Sequence, residues 1–242
     1  MMYSAAIVAG GRMAEAAALL APGSHMAVFS SEESVALKAR SLGFTLRDTM
    51  LVYSPGRAET AFLFRKSLGA TTVAENSMKY GVGGINVEKC RVSWGNETPT
   101  QEEWNRLGSG GDGNSTTAFL QHTAIRKYYE AGLIPVPTGR WPTNLVVIHD
   151  TTCQRMTDLM WQCGWECHVP AIDEQSGFSS SASRPRNNAV AGMFPFKPQA
   201  GQSFGYDDKG GGSRFFPQFA TRVEMIAWIE KLLAPEGTEV FR

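Results

Sequence analysis

The chain has no excess of either charge. Its 242 residues carry 23 Lys+Arg and 23 Asp+Glu, a formal net of zero. A sequence-indifferent nucleic-acid binder is usually basic, so that class is disfavoured, while a local basic cleft is not. Charged residues are scarce at 19% against 43% hydrophobic, which excludes a wholly disordered chain and a coiled coil. No run of about 18 uncharged apolar residues exists, so no membrane partner is expected. There are no internal repeats. The start, Met1-Met-Tyr-Ser-Ala-Ala-Ile-Val8, lacks a basic region, and its apolar run is broken by Arg12 and Glu15. That is a poor signal peptide, and the expected location is the cytoplasm. There the four cysteines, Cys90, Cys153, Cys163 and Cys167, read as thiols or metal ligands rather than disulfides.

What is present fits one large α/β domain or a core with a sizeable insertion. A chain of this length buries roughly 70–75% of its unfolded surface and needs no staples. Residues 5–20, rich in Ala and Leu, read as a helix stopped by Pro22-Gly23. His25–Phe29 is a short apolar run that suits a buried strand, Ser30-Ser-Glu-Glu33 caps a helix to about Leu42, and Gly43 closes it. Phe44–Tyr53 and Ala61–Arg65 read as strands, the segment around 143–149 as another, Thr117–Ala131 and Cys153–Cys163 as helices. Val223, Ile226, Ile229 and Leu233 mark a last helix at near-helical spacing. The expected organisation is a partial core at 1–68, a loop-rich insertion at 69–216 that returns one core strand, and a helix and tail at 217–242. Long irregular stretches are uncommon in compact domains and usually functional.

Two candidate sites follow from residue types alone. His149-x3-Cys153 and Cys163-x3-Cys167 pair imidazole and thiolates four apart, which suits zinc. The competing reading is buried thiols with a loop histidine, and no metal is favoured at this point. Asp173-Glu174 offers paired carboxylates for acid–base work.

Four segments carry a family resemblance: Leu20-Ala-Pro-Gly-Ser-His-Met-Ala-Val-Phe29; Thr72-Val-Ala-Glu-Asn-Ser-Met-Lys-Tyr-Gly-Val-Gly-Gly-Ile-Asn-Val-Glu-Lys-Cys-Arg91; Thr138-Gly-Arg-Trp-Pro-Thr-Asn-Leu-Val-Val-Ile-His-Asp150; and Asp173-Glu-Gln-Ser-Gly177 with Gly210-Gly-Gly-Ser-Arg-Phe-Phe216. In this order, with Met225–Gly237 closing the set, they resemble the phage- and prophage-type DNA methyltransferases that modify an exocyclic amine, N6 of adenine or N4 of cytosine. The resemblance implies a Rossmann-like methyltransferase sheet with a large irregular insertion. It also implies S-adenosylmethionine at the carboxyl ends of the strands, DNA as partner, and a target base flipped into a pocket.

The same resemblance makes two absences visible. The Asp/Asn/Ser-Pro-Pro-aromatic tetrapeptide that orients the amine is expected upstream of the helix before Pro22, and the chain is read as starting inside that helix. The Gly-rich cofactor loop is expected after Gly237, where Thr238-Glu-Val-Phe-Arg242 stands. The sheet is therefore expected to be trimmed at both ends. Ser54-Pro55 is a weak substitute for the tetrapeptide, against an ordinary Pro-Gly turn. Val8-Ala-Gly-Gly-Arg12 is read as lacking the strand that a glycine loop needs. Arg140-Trp141 and Arg214-Phe215-Phe216 pair guanidinium with aromatics that can stack on a base, and Arg126-Lys127 can meet phosphate. Three functions stay open. The first is an active S-adenosylmethionine-dependent enzyme, alone or completed by a second subunit. The second is a catalytically inactive, DNA-binding relative or partner subunit, with a homodimer conceivable. The third is a repurposed base-modification enzyme.

Overall fold

Residues 3–9 form a strand where the sequence reading expects a helix. The computed structural model describes residues 2–32, 34–94, 98–101, 135–157, 160–180, 184–185, 203–204, 209–235 and 237–242. In it β1 spans Tyr3–Ala9, followed by a 3-10 turn Gly10–Arg12 and helix α1, Met13–Leu19. The error has a physical cause. β1 pairs in parallel with both of its neighbours and is buried on both faces, so it lacks the alternation that marks a half-buried strand. Ala5 and Ile7 face one core, Ala6 and Val8 the other. Alanine serves here because helices pack on both sides of the strand.

Next come β2 (Leu20–Ser30), α2 (Ser34–Ser41), β3 (Phe44–Ser54) and β4 (Arg57–Lys66); α2 and β3 stand close to their expected places, whereas β2 begins at Leu20 and runs through the Pro22-Gly23 expected to stop a helix, and β4 begins before the expected Ala61. Helix α3 spans Val73–Tyr80, and β5 (Val92–Ser93) pairs with β6 (Gly139–Arg140). β7 (Leu145–Ile148) returns to the main sheet. β8 (Gln154–Arg155) and β9 (Trp161–Gln162) make an antiparallel pair; the described residues of 153–163 hold no helix, contrary to the sequence reading. Helix α4 is Val169–Ser176. β10 (Ser179–Ser180) pairs with β13 (Lys209–Gly210), and β11 (Arg184–Pro185) with β12 (Ser203–Phe204). β14 (Gln218–Phe219), α5 (Arg222–Leu233) and β15 (Val240–Phe241) complete the chain. The helix expected at 117–131 lies outside the described residues. Among the described residues no helix is long and apolar enough to cross a membrane.

The main sheet has seven strands in the order β14-β7-β3-β4-β2-β1-β15. Only β4 runs against the rest, wedged between β2 and β3. Helices α1 and α2 pack on one face around Met13, Ala16, Val35, Ala39 and Phe64. Helix α5 packs on the other through Met225, Ile229, Leu232 and Leu233. The fold class is the expected α/β, a Rossmann-like sheet, largely parallel, with helices on both faces.

One buried amide ties the loop-rich part to this sheet. Asn76, on α3, is fully buried. Its Nδ2 donates to the carbonyls of Pro22 (2.9 Å) and Val82 (2.7 Å), and its Oδ1 accepts the Gly69 N–H at 2.9 Å. Gly23 sits at φ +81, and a Cβ there would lie 2.3 Å from Asn76 Nδ2. The helix itself starts from a capping box, with Thr72 and Glu75 satisfying each other's backbone. The segments 20–29 and 72–91 thus interlock. Asn76→Ala takes a partner from the half-buried Pro22 carbonyl, the exposed Gly69 N–H and the buried Val82 carbonyl, which keeps only the Ser77 hydroxyl at 3.4 Å, and costs about 2 kcal/mol, read as a lower urea midpoint with unchanged slope.

His25, on β2, is buried in the core with its Nδ1 lacking a hydrogen-bond partner among the described residues. Burial, with Arg65 and Arg47 nearby, pushes its pKa down to about 4. An unfolded histidine titrates near 6.5. Between those values the unfolded chain takes up a proton that the native ring refuses, so stability falls as pH drops from about 6.5 to 4. The loss totals roughly 3 kcal/mol. His25→Asn removes this slope, measured as the difference between the two proteins' denaturation midpoints across that pH range.

Candidate functional site

The parallel strands end on one edge of the sheet, and most of the chemistry-bearing side chains stand there. At the end of β1 the chain reads Ala9-Gly10-Gly11-Arg12 and turns into α1. A strand therefore does precede the glycine pair, contrary to the sequence reading. The position immediately upstream of the helix also lies within the chain. Arg12 spans toward β15: its Nη1 donates to the Arg242 carbonyl at 2.6 Å, and its guanidinium lies 4.7 Å from the Phe241 ring centre. Ser54-Pro55-Gly56 forms the β3–β4 hairpin turn. Gly56 has φ +70 and the Ser54 hydroxyl donates to the Arg57 carbonyl at 3.2 Å, the conformation a Pro-Gly turn requires. Beside it, Glu59 is held between Arg57 (3.2 Å) and Arg222, and Arg222 also covers the Phe29 ring at 4.7 Å.

The strongest cluster stands at the end of β7. His149, Cys153, Cys163 and Cys167 bring their ligating atoms within 4.8 Å of one another. His149 Nδ1 is 3.5 Å from both the Cys163 and the Cys167 sulfur. Local geometry makes this possible. Asp150 accepts from the Thr152 N–H (2.8 Å) and hydroxyl (2.6 Å), a tight turn that swings Cys153 back, and the Cys153 N–H donates to the Asp150 carbonyl. The β8–β9 pair then returns the chain to Cys163, and Gly164 packs so closely that a Cβ would lie 2.0 Å from Thr152 Oγ1. The Trp161 ring stacks on the His149 ring, 3.8 Å between centres at 13°.

The protonation of this group is set by its surroundings. His149 Nε2 lies 2.9 Å from Gln218 Oε1, while Gln218 Nε2 donates to the Ser213 carbonyl at 2.8 Å. The amide oxygen is therefore the acceptor, Nε2 carries the proton, and Nδ1 offers its lone pair to the sulfurs. Burial lowers the His149 pKa, with the Gln218 hydrogen bond opposing and Arg155 assisting. Burial and then the neighbouring Cys167 push the Cys163 thiol up to about 12, and burial raises Cys153 as well. Cys90 is also pushed up to about 12 by burial, but it packs alone in the core beneath α5.

The other expected site residues separate. Asp173 Oδ1 accepts the Ser213 N–H (2.7 Å) and Oδ2 the Ser213 hydroxyl (2.8 Å). A Cβ at Gly211 would lie 2.2 Å from that carboxylate. The pairing of Asp173–Gly177 with Gly210–Phe216 is thus a docking of α4 onto the turn at 212–215. Glu174 is exposed and takes no part in it. Phe215 lies between two guanidiniums, Arg214 at 4.1 Å and Arg140 at 5.4 Å, and Arg140 also covers Trp94 at 4.9 Å. Trp141 is largely exposed and sits 5.8 Å from Arg91. Phe216 packs against the Cys167 side of the sheet. Arg126 and Lys127 lie outside the described residues.

Sequence reasoning missed a cleft of about 480 Å³ between β14, α5 and β5, lined by Arg91, Arg155, Phe216, Gln218, Trp228 and Lys231 among others. Lys231 stands there beside an indole that can stack on a base, with Arg91 paired to Glu88 and Arg155 to Glu224. Arg155 crosses its rim to Glu224 at 2.7 Å and covers the Trp161 ring at 4.8 Å. Trp228 and Lys231 read only as a helix face, and the sign that the helix borders a cleft is tertiary.

No family model matches the chain, and no curated protein matches it. Among solved structures, the M1.HpyAVI crystal structure aligns at 21% identity over 28% of this chain and 45% of that one, with a TM-score of 0.25. Its SAM complex aligns at 19% over 28% and 44%, with 0.26. Streptococcus pneumoniae Sp1610, ascribed a tRNA (m1A22) methyltransferase role, aligns at 11% over 54% and 62%, with 0.22. The chain thus spans less than half the length of M1.HpyAVI.

The Asp173 geometry is testable. Asp173→Ala strands two donors of Ser213 and costs about 2 kcal/mol. Glu174→Ala stays within about 0.5 kcal/mol of the parent. Thermal denaturation of both variants reads the difference.

Proposed function

We propose that the chain is a methyltransferase-family protein that uses S-adenosylmethionine to methylate an exocyclic base amine, adenine N6 in first place, in phage or prophage DNA. The observation that carries this reading is the glycine pair Gly10-Gly11. It ends a buried strand flanked by parallel neighbours and leads directly into α1. Ligands of open α/β sheets bind outside the carboxyl ends of the strands. A residue without a side chain lets a ligand approach the backbone there, and Gly11 has open space around its Cβ position. The segments 20–29, 72–91 and 138–150, which resemble the amine-directed DNA methyltransferases, support the same reading. The cleft with Arg91, Arg155, Lys231 and Trp228 supports a nucleic-acid partner, since it offers phosphate neutralisation beside a stacking surface.

A second reading is favoured by one observation. Directly before α1, where the resemblance expects Asp/Asn/Ser-Pro-Pro-aromatic, stands Ala9-Gly-Gly-Arg12. It has no side-chain acceptor to orient an amine, and Arg12 is bound to Arg242. That favours a catalytically inactive, DNA-binding relative or a subunit of an active enzyme.

Calorimetric titration with S-adenosylmethionine and its demethylated product separates the two. The first reading expects binding in about the 1–100 μM range, lost in Gly11→Trp without a change in fold, and transfer of labelled methyl to DNA. Absence of binding at millimolar ligand, with DNA still retained, would sink it in favour of the second.

A further inference from the structure

We propose that His149, Cys153, Cys163 and Cys167 form a closed, tetrahedral zinc site that holds the β8–β9 hairpin and the start of α4 against the end of β7. The donor set is one imidazole and three thiols, the combination of structural zinc centres. With Zn–N about 2.0–2.1 Å and Zn–S about 2.3 Å, tetrahedral ligand atoms stand about 3.5–3.8 Å apart. The two His149 Nδ1 to sulfur distances are both 3.5 Å, and the whole set falls within 4.8 Å.

The surroundings match a metal site beyond its ligands. His149 presents Nδ1 inward because Nε2–H is committed to Gln218, and Gln218 is fixed in turn by the Ser213 carbonyl. Such a partner on the far nitrogen orients a ligating imidazole and fixes its tautomer. Gly164, whose N–H donates to the Cys153 sulfur at 3.4 Å, supplies the backbone donor that thiolates accept. Trp161 covers the imidazole face. Four protein ligands leave no open position for a substrate, so the role is structural. The apolar cluster here is small: Val147, Val169 and Cys167, with Leu145, Ile172 and Phe216 packed on it. A metal cross-link between residues 149 and 167 supplies the cohesion that so few aliphatics cannot.

This inference does not depend on the activity proposed above. The full chain, purified from zinc-supplemented culture, is expected to hold one zinc per chain by elemental mass spectrometry. Chelation followed by cobalt(II) is expected to give thiolate charge-transfer absorption and the visible bands of a tetrahedral site. Cys163→Ser is expected to lose the zinc and Cys90→Ser to keep it. Should Cys163→Ser fail to fold, Gln218→Ala serves in its place, with zinc affinity about 10–100-fold weaker in chelator competition and the cobalt spectrum still tetrahedral. Substoichiometric zinc in the parent chain, iron in its place, or a six-coordinate cobalt spectrum would overturn the site. Zinc without S-adenosylmethionine binding leaves this inference standing and removes only the methyltransferase reading; the converse result does the opposite.

Discussion

Strand β1 must be covered on both faces and paired on both sides, and the rest of the sheet is arranged around that demand. Its inward residues on one face meet α5, those on the other meet α1. Ala5 and Ala6 leave room for both layers, because a larger side chain at either place would force the helices apart in an interior packed as densely as a crystal. From β1 the order spreads outward through β2, then the reversed β4, then β3 and β7. The reversed strand lets a tight Ser54–Arg57 turn return the chain inside the sheet, so no crossover helix is needed there.

The parts of the fold that were legible from sequence are those whose signal is local. β2 and β4 each hold a short apolar run, and β3 ends in the apolar stretch Met50–Tyr53 before the Ser54-Pro-Gly56 turn. Helix α2 has its acidic start and Gly43 stop, and α5 has its spaced apolar face. β1 was illegible because a doubly covered strand of alanines has the composition of a helix. The 153–163 segment is expected as a helix, yet the chain turns back at the β8–β9 pair to bring Cys163 to His149. The motif signals depend on distant partners in the same way. Asp173 looked like an acid because its partner Ser213 lies 40 residues on. Gly23 and Asn76 explain each other only once α3 is docked. His149 and the cysteines were visible as a spacing, but nothing in a spacing says that three separate turns converge on one point.

Charge follows the same geography. The chain is neutral as a whole, yet Arg57, Arg155 and Arg222 lie toward the carboxyl edge and Arg91 and Lys231 along α5. Two acidic groups, Glu59 and Glu224, hold three of these guanidiniums in place. The pairs at the exposed rim contribute little to stability. Their effect is positional: Glu224 fixes Arg155 across the cleft's rim, and Glu59 holds Arg57 and Arg222 at the end of the β3–β4 hairpin.

The sheet tapers. Its central strands β2, β3 and β4 run 11, 11 and 10 residues, whereas β14 runs two. A rim this short is among the least costly parts of a protein to open locally. Gln218, which orients His149, is on that rim. Fraying of β14 therefore takes away the partner of the imidazole N–H and uncovers the cysteine cluster in one motion. Retention of the zinc proposed for that cluster and closure of the sheet edge are then the same event, seen from two sides.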